Sequence, residues 1–394
     1  MRSALFSAIA SAVFCLLSST PALSGPEAIK IVSQDLPASP DLKAFVLHSD
    51  RIGRDFQVMV YSPSATPFLP GQKFPVVYAL DGGYGLAGAT GTLLVATGVM
   101  APAYVVEIGY PPGQDVHRND DLAHVITRPQ FGGPAFGGGG AAFEAFLLED
   151  LRPFIAARFP VDNARSVLLG HSMGGIFAAR VFADKPDAFS GWIIGSTGDK
   201  LDPDLFAAVA RVASQAKGAR VYLTVGELED VDQPGAPHWA MGGYEKLAEA
   251  LKNRPGIALR TQVYVGETHL SYYPRLVTDG LPFVLPPLRP ANFKEQILTD
   301  ANVAPYVGDY ALPDGRTLTI RFPNLPRGMP AMLLAQVAGA APVPLLQNGK
   351  DRFYNPTSDI DAVFDGKGVL TMVADGAKMR VARVRTTPAP PKAP

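Results

Sequence analysis

The chain has 394 residues, 47% of them hydrophobic, and a formal net charge of −1. That is enough to bury a sizeable core and more than one domain, and the balanced charge gives no electrostatic reason to expect nucleic acid or an anionic membrane as partner. The single cysteine, Cys15, lies in the N-terminal apolar stretch, so beyond it no disulfide, thiolate nucleophile or cysteine-ligated zinc can be part of the chemistry.

Arg2 supplies a positive start, Ala4 to Ser18 form an apolar run short for a bilayer span, and Ala22-Leu23-Ser24 offer small residues for cleavage. The expectation is a signal peptide over residues 1–24 and a periplasmic or secreted chain with no stable membrane insertion after cleavage. An uncleaved anchor is the alternative; Phe14 before Cys15 argues against a lipid-modified cysteine.

Residues 25–288 alternate short apolar strands with amphipathic stretches. Strands are expected at Phe56–Tyr61, Phe74–Leu80, Tyr104–Ile108, Ser166–Leu169, Trp192–Ile194, Arg220–Val225 and Thr261–Val265. Helices are expected at Ala141–Arg158, Met173–Ala183 and Tyr244–Lys252. This pattern predicts an α/β fold with a mostly parallel central sheet covered on both faces, and sites beyond the carboxyl ends of the strands. Past Pro286-Pro287 and Pro290 the texture changes. Thr317–Phe322, Ala331–Val337, Ile360–Phe364, Gly368–Val373 and Lys378–Val384 read as strands, with turns at Asp314-Gly315, Asn348-Gly349, Asp365-Gly366 and Asp375-Gly376 and no helix. A small all-β C-terminal domain is expected over residues 300–385, followed by a disordered Pro-rich tail at 386–394.

Gly170-His171-Ser172-Met173-Gly174 matches G-x-S-x-G, and its context matters more than the string. Ser166–Leu169 is a buried-type strand before it and Gly175–Ala183 a small-residue helix after it, the strand–turn–helix elbow that exposes a serine Oγ. A serine hydroxyl needs a base. Of the histidines after Ser172, His238 sits in a loop with no strand before it, whereas His269 follows the strand Thr261–Val265 directly. The acid should follow Arg220–Val225, where Glu227, Glu229 and Asp230 compete; Glu229, three residues after Gly226, is the first choice and Asp230 the second. Its work is to fix the tautomer of His269 and stabilise its protonated form. The oxyanion hole should combine the Met173 N–H with one from Gly82 or Gly83 in the loop after the strand ending at Leu80.

These residues resemble the Putative esterase branch of the α/β-hydrolases. The resemblance rests on Ser49–Arg54, Pro75–Gly82, Arg118–Leu122, Gly138-Gly139-Gly140 ahead of Phe143, Asp150-Leu151, the serine elbow, Val225–Glu229 and Gly266–His269, and the match is to the siderophore-esterase subgroup. It implies an α/β-hydrolase fold and ester hydrolysis by Ser172 and His269. At Ser196-Thr197-Gly198-Asp199-Lys200 the chain departs from the family's Ser-Pro-Ser stretch and tryptophan, so the resemblance does not carry the leaving-group pocket. The C-terminal strands loosely resemble a small β-barrel appended to some exported serine hydrolases.

Arg118 is a candidate for an anionic or catecholate substrate group, and Trp239, in the loop before the Tyr244 helix, for a pocket wall. The glycines at 137–140 lack the Lys-Ser/Thr ending of a phosphate loop, and no metal-ligand spacing such as H-E-x-x-H occurs. The expected partner is a small-molecule ester, of siderophore or carbohydrate type, with no cofactor and no metal. An acyltransferase with the same residues, or a non-catalytic ligand-binding homologue, is the alternative.

Overall fold

The computed structural model describes residues 29–33, 41–63, 72–80, 85–96, 99–128, 133–198, 200–232, 239–287, 297–323, 331–340, 342–355, 360–374 and 377–384. The expected signal peptide and Pro-rich tail, Gly82, Gly83 and His238 lie outside them.

Nine strands form the first sheet: β1 (Ile29–Ser33), β2 (Leu42–Ser49), β3 (Arg54–Tyr61), β4 (Phe74–Leu80), β5 (Tyr104–Gly109), β6 (Val161–His171), β7 (Gly191–Gly195), β8 (Ala219–Gly226) and β9 (Ile257–Tyr264). Their order is β1-β2-β3-β5-β4-β6-β7-β8-β9. The run from β5 to β9 is parallel, and β1 to β3 extend it as an antiparallel edge. β4, β5 and β7 are buried at every position, as strands covered on both faces must be. Side chains alternate between two cores. Val76, Tyr78, Leu168 and Trp192 face one, and Val77, Ala79, Val167 and Ile193 the other. The first core is closed by residues 140–156 and the helices Met173–Asp184, Leu205–Val212 and Trp239–Leu251, the second by Leu86–Ala96 and Tyr273–Val284.

The sequence reading placed the core strands but missed several elements. Helix Leu86–Ala96 is rich in glycine, yet Gly88 and Gly91 are where the Tyr61 ring and the Val105 side chain press against its backbone. Helix Tyr273–Val284 carries proline in its first turn and Pro282 inside, which conceals it from propensity. The expected helix at 141–158 is broken by a π-helical turn, Phe146–Leu151. Trp239 does not lie in a loop. It opens helix Trp239–Leu251, because Asp230 Oδ1 accepts the Ala240 N–H at 2.9 Å and caps the turn. Gly243, which reads as a breaker, lets that helix approach the Thr197 carbonyl.

The second sheet runs in chain order through β10 (Gly308–Ala311), β11 (Thr317–Arg321), β12 (Leu333–Val337), β13 (Val343–Gly349), β14 (Arg352–Asn355), β15 (Ile360–Phe364), β16 (Val369–Ala374) and β17 (Ala377–Ala382). All neighbours are antiparallel, and a bridge from Tyr310 to Arg383 links the first strand to the residue after the last. Its core holds Tyr310, Ile320, Phe353, Leu370 and Met372. Asp300–Val303 adds one helical turn, capped by Thr299, where none was expected. The whole is an α/β-hydrolase with a small all-β C-terminal domain. Among the described residues no helix is long and apolar enough to cross a membrane.

Candidate active site

β6 runs to His171 and the helix begins at Met173, leaving Ser172 alone at the corner with φ 58° and ψ −121°. Such a backbone costs a non-glycine residue about 1–3 kcal/mol and persists only where its surroundings enforce it. The Ser172 N–H donates to the Gly195 carbonyl at 2.9 Å, and Ile176 N–H to the Ser172 carbonyl at 3.0 Å. The flanking glycines are steric requirements: a Cβ on Gly170 would run into the Gly174 carbonyl, and one on Gly175 into that of Gly195. Met173 is the first helical residue, so its N–H belongs to the turn that has no intrahelical acceptor.

Glu229 opens a short helix directly after β8 and is fully buried. Its Oε2 lies 2.7 Å from His269 Nδ1, and its Oε1 accepts the Gly226 N–H at 2.7 Å. The two competing carboxylates are used elsewhere. Asp230 caps the following helix, and Glu227 Oε2 accepts the Gly266 N–H at 2.8 Å. Leu228 N–H donates to the Glu267 carbonyl at 2.9 Å, so the loops carrying Glu229 and His269 are joined along their backbones.

With Nδ1 held by Glu229, His269 presents Nε2 as its other ring nitrogen, and it shares a cavity of about 720 Å³ with Ser172. The walls are Phe56, Leu80, Ile108, Tyr110, Leu122, Phe143, Leu270 and Tyr273, a mostly apolar set, with Arg118 as the cation among them. Arg118 Nη2 donates to the His171 carbonyl at 2.9 Å, beside Ser172. Trp239 stands outside that lining. Its ring centroid is 6.0 Å from that of His269, and it packs where Gly198 has no side chain. Gly82 and Gly83 fall in the undescribed segment after β4.

A buried network that the sequence reading missed lies behind His269. Ser196 Oγ is 2.6 and 2.7 Å from the two Glu229 oxygens and 2.6 Å from Tyr272 Oη. His171 Nε2 lies 3.3 Å from the same hydroxyl, and its ring centroid is 4.6 Å from that of His269. Burial, with His269 and Arg118 nearby, pushes the His171 pKa down to about 3, so at neutral pH it adds no charge beside His269. The available signal was position: Ser196 follows β7 at the carboxyl edge of the sheet, next to the elbow strand.

Among the described residues His124, Glu144 and Asp184 bring ligand-type atoms within 4.8 Å of one another. Lys185 and Arg180 already approach Glu144 and Asp184, at 3.3 and 3.8 Å.

The sequence matches the Putative esterase family over residues 49–283, more than half of the chain. The chain belongs to that family. This esterase is 29% identical over 269 residues to the ferri-bacillibactin esterase BesA of Bacillus subtilis (strain 168), covering 63% of this chain and 91% of BesA. It is 30% identical over 166 residues to the siderophore triacetylfusarinine C esterase of Aspergillus fumigatus, covering 40% of this chain and 56% of that one. Among solved structures, the BES protein from Bacillus cereus superimposes with TM-score 0.56 at 23% identity, over 64% of this chain and 99% of its own. The siderophore hydrolase EstA from Aspergillus nidulans gives 0.55 at 22%, over 64% and 98%. The esterase is thus a carboxylic-ester hydrolase of the α/β-hydrolase fold.

Proposed function

We propose that the protein is a serine esterase that works through an acyl-enzyme on Ser172, with a siderophore-type ester as the favoured substrate class and a carbohydrate ester as the other candidate. The observation that carries the mechanism is the buried Glu229 carboxylate 2.7 Å from His269 Nδ1, with His269 and the strained Ser172 in one cavity wall. Ser172 Oγ attacks the ester carbonyl as His269 Nε2 takes its proton, while Glu229 holds the Nδ1–H tautomer and stabilises the imidazolium. The Met173 N–H, with one from Gly82 or Gly83, receives the oxyanion; each such donor is worth on the order of 10²–10³ in rate. His269 then protonates the leaving alcohol, and water repeats the sequence on the acyl-enzyme.

The apolar and aromatic cavity suits an aryl or alkyl acyl group, and Arg118 a phenolate or carboxylate on it. The curated relatives named as siderophore esterases support that substrate class. Export over the signal-like residues 1–24, with Arg2, the apolar run and Ala22-Leu23-Ser24, belongs to the same reading. The test is hydrolysis by purified protein of p-nitrophenyl acyl esters, methyl ferulate and a catecholate trilactone, with Ser172→Ala alongside. A trilactone preference abolished by the substitution is the expected result. Full activity of a folded Ser172→Ala protein would sink the mechanism, and activity on simple acyl esters alone would remove the siderophore assignment.

A further inference from the structure

Against the Glu229 carboxylate lies a buried hydroxyl, that of Ser196, which takes no part in the proton transfers of ester hydrolysis. Ser196 is fully buried and sits at φ 52°, a left-handed backbone that glycine adopts without strain and serine does not. A position that favours glycine but holds serine has a use for the side chain, and here the hydroxyl touches both oxygens of Glu229, Tyr272 Oη and His171 Nε2.

Proton accounting gives the network a direction. An ionised carboxylate only accepts, so Ser196 O–H donates to Glu229. Tyr272 is buried beside that charge, and burial with Glu229 pushes its phenol well above the usual range. It therefore keeps its proton and donates to Ser196 Oγ. The donor chain Tyr272 to Ser196 to Glu229 meets the Gly226 N–H and His269 Nδ1–H on the same carboxylate. The other ionisable groups against the network are His171, Arg118 near it, Tyr273, Tyr264 stacked on the Tyr272 ring, and Tyr222.

We propose that Ser196 and Tyr272 are positioning residues for ester hydrolysis: they aim the Glu229 carboxylate at His269 Nδ1. The proposal rests on the assignment of Ser172, His269 and Glu229 above. Without the hydroxyl the carboxylate is less firmly held, and its charge, shared with one donor fewer, binds the imidazolium more tightly.

Ser196→Gly removes the hydroxyl while relieving the backbone, and Tyr272→Phe removes only the phenolic donor. Their kcat and KM for a p-nitrophenyl ester are measured from about pH 5 to 9, with Ser172→Ala as control. The expected result for Ser196→Gly is a kcat lower by about 10- to 100-fold with KM little changed. The acid limb of its kcat profile moves to higher pH, and Tyr272→Phe shifts the same way by less. Wild-type kcat and an unmoved acid limb in Ser196→Gly overturn the proposal, whatever its melting temperature. If that variant does not fold, the same result in Tyr272→Phe overturns it. An active Ser172→Ala protein would instead remove the triad assignment itself, which the control reads separately.

Discussion

Glu229→Gln is expected to cost kcat about three to four orders of magnitude, although it changes neither size nor shape. The reason lies in which oxygen is pinned. Glu229 Oε1 accepts the Gly226 N–H at 2.7 Å, and Oε2 faces His269 Nδ1 at 2.7 Å. A glutamine must leave its carbonyl oxygen on the Gly226 N–H, since two donors cannot face each other in a fully buried place. Its NH2 then donates to Nδ1, the imidazole proton moves to Nε2, and the ring can no longer take the Ser172 proton. Wrong-tautomer variants of serine triads lose on the order of 10⁴ in kcat, about 5 kcal/mol of barrier. Asp230→Asn is the matched control. Asp230 caps the helix Trp239–Leu251, so that substitution should lower stability by no more than about 1–2 kcal/mol and leave kcat within a few fold. Steady-state kcat on a p-nitrophenyl ester, with thermal melts of all three proteins, decides it. Glu229→Gln keeping more than about a tenth of wild-type kcat, or Asp230→Asn being the inactive one, would refute the reasoning.

Glu107 gives the pH prediction. Its carboxyl, buried under the start of helix Leu86–Ala96 and accepting the Gly88 N–H at 2.7 Å, has its pKa pushed up to about 7 by burial. Raised above its unfolded value, it favours the folded state most below about pH 4.3 and loses that contribution as pH rises to about 7, by roughly 1.4 kcal/mol per unit. Chemical denaturation should show that decline in the wild type and a flatter profile in Glu107→Gln; parallel profiles would contradict it. Gly170→Ala drives a Cβ into the Gly174 carbonyl and should cost about 1–3 kcal/mol of stability together with most of the activity, read by melting and turnover. Arg118→Ala should raise KM about tenfold or more for esters with an anionic acyl group while sparing neutral ones; an equal effect on both would remove Arg118 from substrate recognition.

Much of this was legible because the signals are local. The elbow around Ser172 is a short string with a strand before it and a helix after it, and Glu229 and His269 each follow a strand whose apolar run marks its end. Choosing among Glu227, Glu229 and Asp230 by structure needed three dimensions, because neighbouring residues on a helical turn point about 100° apart. Ser196 and Tyr272 were illegible because their meaning depends on pairing. Parallel β7 and β8 bring Ser196 to Glu229, and the start of helix Tyr273–Val284 brings in Tyr272. Helices Leu86–Ala96 and Tyr273–Val284 were hidden because they hold glycine and proline, poor helix formers: Gly88, Gly91 and Gly280 sit where neighbouring side chains come close, and the first-turn proline replaces an N–H that has no intrahelical acceptor.

The most direct test of the central claim is labelling of the purified protein with a fluorophosphonate, followed by peptide mass spectrometry. One adduct is expected, on Ser172, with loss of esterase activity in proportion to labelling, no adduct in Ser172→Ala and much slower labelling in His269→Ala. Ester hydrolysis that persists after complete labelling of Ser172, or an inactivating adduct on another residue, would contradict it.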